Sequence, residues 1–442
     1  MEAKKKLFEE FPPVSTEQWE AVIEKDLKGA DYNKKLVWKT AEGFSVRPYY
    51  RAEDLKNIAW MGVMPNQFPY VRGNREQENS WLVRQDIVVK DVKEANKMAH
   101  DAISRGCNAI GFKLDYDKAY DAVEIATLLN GIDQNQVEIN VFNNKYHLPL
   151  LEMLSKVPNV KGSINYDPLT RYLRRGVWYV SETTDMELAY IMVKAEMPGF
   201  QTLGVNGHVL TNAGATIVQD MACSRASGAE YLDQLTEKGL SVDDIAPKMR
   251  FNLAVGQNYF MELAKMRAYR LLWANIIKAY GGKESNAKMH IHACNAEIGM
   301  SLYDAYVNML RTTTGTMSAV LGGVDSFCVT PFDATFENPT DFADRIARNQ
   351  QLILKEEAHF DKVADPAAGS YYIENLTDSL AKAAWDLFNK IQDEGGYLAA
   401  VRKGMIQAMV KESADKKFGN VATRREILLG PNHYPNFTAP MK

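Results

Sequence analysis

From Trp81 onward the chain alternates short runs of β-branched and aromatic residues with longer helical runs, eight times over. Parallel strands can be joined only by a crossover long enough to return to the same end of the sheet, so this alternation predicts βαβ units. The strand-like runs fall at 82–89, 109–114, 137–143, 161–167, 201–208, 249–256, 288–296 and 326–332. Helical spacing follows them at 92–105, 119–129, 148–156, 186–195, a long stretch ending near 235, 259–280, 304–321 and 341–359. Eight such units close most simply into an α/β fold of the (β/α)8 TIM-type barrel. An open doubly wound sheet would carry a Gly-rich first turn, and no GxGxxG occurs.

Two segments flank the barrel. Residues 1–67 show no strand–helix alternation, are punctuated by Pro12, Pro13, Pro48 and Pro65, and read as an N-terminal arm with one short helix near 19–27. The barrel is assigned to 68–375 and a charged helical extension to 376–442, stopping near Gly430-Pro431. The first ten residues lack the apolar stretch of a secretory signal, and no apolar run is long enough to span a bilayer. With 52 basic and 56 acidic residues, the net charge of -4 gives no electrostatic reason to expect nucleic acid or a membrane surface. Cys107, Cys223, Cys294 and Cys328 are scattered and form no CxxC pair, which fits a reducing, cytoplasmic setting.

The strands themselves are two-faced. Val137, Ile139 and Val141 alternate with Glu138 and Asn140; Phe251, Leu253 and Val255 with Arg250 and Asn252; Met289 and Ile291 with His290 and His292. The other strands offer Arg84/Asp86, Lys113/Asp115, Ser163/Asn165, Asn206/His208 and Cys328/Thr330. Barrel strands pack their outer faces under helices, so the apolar set belongs outside and the polar set points inward, unlike the usual Val/Ile/Leu filling. Buried charge must be paired or hydrated. The interior is therefore either a polar channel for an extended ligand or a plug of mutual salt bridges and hydrogen bonds. The bulk of Arg, Lys, Glu and His favours the plug.

Chemistry-bearing motifs are few. His290, His292 and Cys294 share one strand face and have the donor types for a zinc or iron site, but no carboxylate or third histidine nearby completes it. No GxSxG elbow and no GxxxxGK[ST] loop is present. Adjacent Asp243/Asp244 and Glu356/Glu357 do not face one another on a helix.

A set of stretches resembles the barrel of the methylmalonyl-CoA mutase family. They are YFMELAKMRAYRLLW at 259–273, AGAT at 213–216, RTTT at 311–314, AVLGG at 319–323, TDF at 340–342, RIARN at 345–349, DP at 365–366, GSYY at 369–372 and LTD at 376–378. They keep the family's order from about Pro69 to Tyr434. The resemblance implies a radical rearrangement of (R)-methylmalonyl-CoA to succinyl-CoA with adenosylcobalamin, acyl-CoA threaded along the barrel axis, and cobalamin over the barrel's C-terminal face beneath a separate domain. It also implies a heterodimer of a catalytic large subunit and an inert, related small one.

Against that pattern this chain departs at the active positions. None of its seven histidines sits in the family's Asp-x-His-x-x-Gly cobalt motif, and no cobalamin-binding domain is expected within the chain. Where catalytic chains end the fifth strand in Ser-Gly-Tyr-His, this one reads Asn206-Gly207-His208-Val209, so the family's histidine falls at Val209 with His208 beside it. Pro-Arg-Leu-Ser becomes Pro247-Lys248-Met249-Arg250, which keeps one charge without its fork and puts bulk into the channel. The ribose-contacting Glu falls at Ala334, the stretch between Gly73 and Trp81 is short and leaves no counterpart for the substrate-contacting Tyr, and His292 matches a family His on the cofactor face. No catalytic residue or metal ligand is therefore assigned; Lys248, Arg250, Asn206 and His208 are the substrate-channel candidates. The resemblance implies an inert small subunit supporting a catalytic partner. The competing readings are an active acyl-CoA mutase barrel completed by a separate cobalamin-binding chain, and an unrelated metal-dependent barrel using His290 and His292.

Overall fold

The computed structural model describes residues 7–8 and 10–438; most of the first ten residues and the last four of the extension lie outside the described residues. Its centre is a closed, all-parallel barrel of eight strands. They are β1 (Leu82–Val88), β2 (Ala109–Lys113), β3 (Glu138–Phe142), β4 (Gly162–Tyr166), β5 (Phe200–Val205), β6 (Met249–Val255), β7 (His290–Asn295) and β8 (Ser326–Cys328). Each pairs with its sequence neighbours, and β8 closes the ring by pairing with β1, Ser326 beside Leu82 and Cys328 beside Arg84. The crossover helices are α1 (Val92–Ser104), α2 (Ala122–Leu129), α3 (His147–Leu154), α4 (Glu182–Lys194), α5 (Ile217–Glu237), α6 (Tyr259–Ala279), α7 (Val307–Leu321) and α8 (Asp341–Leu352). The extension holds α9 (Tyr371–Asp393) and α10 (Met405–Ala422).

Local chemistry starts these helices where the chain leaves the sheet. Asp91 accepts from the amides of Lys93 and Glu94, Asp121 and Glu124 form a capping box, and Thr216 and Gln219 form another. The outer strand faces are apolar as expected: Ile110, Phe112, Ile139, Phe251, Ile291 and Phe327 are fully buried under the helices. Phe251 meets Trp273 of α6 edge to face, ring centroids 4.8 Å apart.

Four expectations need correction. The fifth strand ends at Val205, and His208 opens a short helix, His208–Asn212, because the backbone turns at Gly207. The eighth strand stops at Cys328, leaving Thr330 in a loop where its hydroxyl donates to the Asn295 carbonyl at 3.1 Å. The helix at 341–359 ends at Leu352 in a π-helical turn, Ile353–Glu357. The arm, read as an extension with one short helix and no strand–helix alternation, also contains a small hairpin, Trp38–Lys39 against Ser45–Val46.

The stretches that carry the family resemblance lie mainly outside the barrel axis. Helix α6 packs against α5, α7 and α9 and is buried almost all round, its charged Glu262, Lys265, Arg267 and Arg270 included. Arg267 on α6 pairs with Asp365, and with Glu374 of α9 at 2.7 Å. Glu374 also accepts from the Trp60 indole at 2.9 Å and the Gly369 amide at 2.9 Å, and Arg72 stands 3.5 Å away. Burial would raise the Glu374 carboxyl, but Arg267 and these donors hold it below its ordinary range. Arm, barrel helix and extension thus meet in one buried clamp.

His147, at the start of α3, is 3% exposed and wedged edge-on between Tyr166 and Tyr179, with neither ring nitrogen hydrogen-bonded. Burial, and then Arg171, push its pKa down to about 3. The folded state therefore refuses a proton that the unfolded chain accepts below the ordinary value near 6.5. Stability is intact above that value and falls by about 1.4 kcal/mol per pH unit below it, until about pH 3. Denaturant titrations at pH 7 and pH 5 should show His147→Phe losing less stability on acidification than the parent, by about one proton's worth. An unchanged slope would contradict the buried neutral imidazole.

No helix of the described residues is long and apolar enough to cross a membrane.

Candidate functional site

The inward positions of the strands follow from the register. Arg84 and Asp86 of β1, Gly111 of β2, Glu138 and Asn140 of β3, and Ser163 of β4 lie in paired rows; so do Gly204 of β5, Arg250 and Asn252 of β6, His290 and His292 of β7, and Ser326 of β8. The polar face inferred from alternation is this inner face.

Arg250 organises it. From β6 its Nη1 donates to Glu138 Oε1 at 2.8 Å and Asn140 Oδ1 at 2.6 Å on β3, while Nη2 donates to Ser326 Oγ at 2.7 Å on β8. A side chain rooted on one wall that touches two others, on either hand, must lie across the axis. Ser163 donates to Asn140 Oδ1 at 2.7 Å, and Ser326 Oγ lies 2.9 Å from His292 Nδ1. Arg250, Asn140, Ser163, Ser326 and His292 are all buried. Nearer the C-terminal mouth, Asn165, Asn206 and Asn252 hydrogen-bond to one another, at 3.0 Å for Asn165 to Asn206 and for Asn252 to Asn206. Asn206 also donates to Asp167 Oδ2 at 2.8 Å. Arg84 closes on Asp86 at 2.6 Å.

Two glycines make room for this filling. A Cβ on Gly111 would stand 1.9 Å from Asp86 Oδ1, and one on Gly204 would stand 1.8 Å from Asn165 Oδ1. The neighbours' side chains already occupy the space these residues vacate. Gly204→Ala should therefore destabilise by about 1–3 kcal/mol through overpacking, read as a shift in a denaturant midpoint. A neutral outcome would mean that Asn165 can leave its site without loss.

The titration behaviour fits a paired interior. Burial would raise the Glu138 carboxyl, but Arg250 brings it below its ordinary value. Burial, then Arg84 and Arg250, hold His292 well below the usual imidazole range, so it is neutral at pH 7. His208 and His290 are lowered by burial as well. Burial pushes the Cys294 thiol up to about 12. Among the described residues no three His, Cys, Asp or Glu side chains group in a way that holds a metal ion, so His290, His292 and Cys294 remain three separate wall positions.

The candidate residues divide accordingly. Arg250 and His292 meet inside the barrel through Ser326, and Asn206 joins the asparagine layer nearer the mouth. His208 sits half-buried at the mouth with Nδ1 3.3 Å from the Asn252 carbonyl, carried there by the turn at Gly207. Val209 follows it in the short helix and is half-buried. Lys248 does not join them: it lies in the 3-10 turn before β6, and its Nζ donates to the carbonyls of Ala195 and Met197 at 2.9 and 3.0 Å beyond α4. Burial lowers its pKa there. Ser326 and the two glycines escaped the sequence reading. Ser326 shares the parity of Cys328, and an inward glycine in a strand signals space used by a neighbour.

The methylmalonyl-CoA mutase family model matches residues 39–122 and 119–441. The chain is 46% identical to the methylmalonyl-CoA mutase small subunit of Porphyromonas gingivalis, over 98% of this chain and 72% of that protein. It is 33% identical to the methylmalonyl-CoA mutase of Rhizobium meliloti, over 94% of this chain and 63% of that protein. To the small subunit of Streptomyces virginiae it is 32% identical, over 97% of this chain and 72% of that protein. The chain thus spans between three fifths and three quarters of the length of these relatives, with barrel and clamp inside the matched region. On these matches, the chain belongs to the methylmalonyl-CoA mutase family.

Proposed function

We infer that this chain is the small subunit of a cytoplasmic methylmalonyl-CoA mutase, an isomerase converting (R)-methylmalonyl-CoA to succinyl-CoA, and that it supports a catalytic large subunit rather than turning over substrate. The observation that carries this is Arg250, whose guanidinium crosses the axis an acyl-CoA would thread and is bonded to three other strands' side chains when the weaker contact to Ser163 at 3.4 Å is counted. The small-subunit names of the relatives support the pairing with a large subunit.

Adenosylcobalamin belongs to that assembly, and no histidine of this chain stands in the family's Asp-x-His-x-x-Gly cobalt motif. His208 and His292 keep Nδ1 against the Asn252 carbonyl and the Ser326 hydroxyl, and burial lowers both imidazoles. No step is assigned to the cofactor here.

The contact with the partner falls naturally to the arm. Its helix, Thr16–Asp26, has no buried residue, and Phe11, Val14, Trp19 and Val22 are each 49% or more exposed within a short stretch. Apolar side chains clustered this way mark an interaction surface.

Equilibrium dialysis of the isolated chain against methylmalonyl-CoA should show no saturable binding. Stoichiometric binding would overturn the supporting role and favour an active barrel completed by a separate cobalamin-binding chain.

A further inference from the structure

Although the axis is filled, the C-terminal mouth of the barrel is not flat. A cavity of about 340 Å³ opens beside the ends of β1, β2 and β3, lined among others by Lys90, Lys113, Asp115, Tyr116, Lys118 and Tyr120. It lies off the axis, on the face where barrels of this kind carry their loops and bind ligands. Its size is at the small end of metabolite pockets.

Three lysines line the cavity in a chain whose net charge is -4. Lys113 is placed by β2 and Lys90 by the Val89 amide, which donates to the Lys113 carbonyl at 2.9 Å. Among the described residues neither side chain has an ion-pair partner. Lys118 pairs with Glu124 at 2.6 Å and rests over the Tyr120 ring at 4.7 Å. Behind Tyr116 stands Arg171, its guanidinium 5.5 Å from that ring and its buried Nε without a hydrogen-bond partner. Lysines lining a cleft with aromatic walls favour an anion there. Ammonium groups serve phosphate well as point charges. The pocket also has acceptors. Asp115 lines it, its Oδ1 tied to the Asp117 amide at 2.9 Å, and so does Asn143, whose amide donates to the Leu114 carbonyl at 2.9 Å. A bare anion would leave Asp115 opposed; a ligand that brings hydroxyl donors beside its phosphate would not.

We propose that this cavity binds a small hydroxylated phosphate ester, its phosphate between Lys90, Lys113 and Lys118 and its hydroxyls toward Asp115. The site is independent of the filled axis and of the supporting role inferred above. Isothermal titration of the full chain with ribose 5-phosphate at low ionic strength should give one saturable site, tighter than inorganic phosphate. Lys113→Ala should weaken it by about tenfold or more, Lys113→Arg should retain it, and Lys382→Ala, on the far surface of α9, should leave it unchanged. Both positions are exposed, so the three variants should fold as the parent does. No saturable binding, equal binding by Lys113→Ala, or an equal loss in Lys382→Ala would each overturn the proposal.

Discussion

Arg267→Ala should destabilise the protein by about 3–5 kcal/mol, among the largest single-residue effects in the chain. The substitution strands Asp365 and Glu374, both buried, with only the more distant Arg72, at 3.4 and 3.5 Å, to balance them. The loss is less the removal of an attraction than the burial of carboxylates without a cation. Arg267→Lys should retain part of the stability, since the charge survives but the two-pronged reach to two carboxylates does not. A denaturant titration at pH 7 followed by tryptophan fluorescence suits the test, because the Trp60 indole donates to Glu374 and reports on the clamp directly. A loss below about 1 kcal/mol would show that the clamp is not a stability element.

Arg250→Ser should have a comparable effect, about 3–5 kcal/mol at neutral pH, for a related reason. Without the guanidinium, Glu138 keeps only the Asn140 amide at 3.1 Å. In the parent, Arg250 depresses the Glu138 carboxyl, so its contribution is present above the unfolded carboxyl value and is lost as pH falls through the folded one. In the variant the sign reverses: burial dominates, the folded carboxyl titrates higher than the unfolded, and the penalty shrinks as acid neutralises it. Adding Glu138→Gln should recover most of the lost stability, and the double variant gives a direct test of the plug. If it binds methylmalonyl-CoA in dialysis where the parent does not, Arg250 is the bar. If neither binds, the asparagine layer above it suffices to close the axis.

Most of the barrel was legible because two periodicities coincide in this sequence. Apolar and polar residues alternate along each strand, and the helices between the strands are long enough to force parallel pairing. The inner face was visible from parity alone, in Glu138/Asn140 and Arg250/Asn252. What parity cannot supply is the end of a strand. His208 was read as the last residue of β5, but the chain turns at Gly207 and sends His208 over the mouth, a tertiary choice with no local signature beyond that glycine. Lys248 failed differently. It precedes β6 by one residue, and its long stem lets the ammonium leave the axis for the Ala195 and Met197 carbonyls. The clamp was hidden because its members, Trp60, Arg267, Asp365 and Glu374, are far apart in sequence and individually ordinary.

That separation bears on the order in which the molecule can assemble. Trp60 and Glu374 are 314 residues apart, so while the chain is being synthesised the arm has no acceptor for its indole until every barrel strand has left the ribosome. A barrel that closes before α9 is made does so with Arg267 still lacking its α9 partner, and the arrival of α9 then seals the arm against it. A chain interrupted before Glu374 would hold all eight strands and yet remain unlatched, with its arm loose and a buried guanidinium short of its counter-charge.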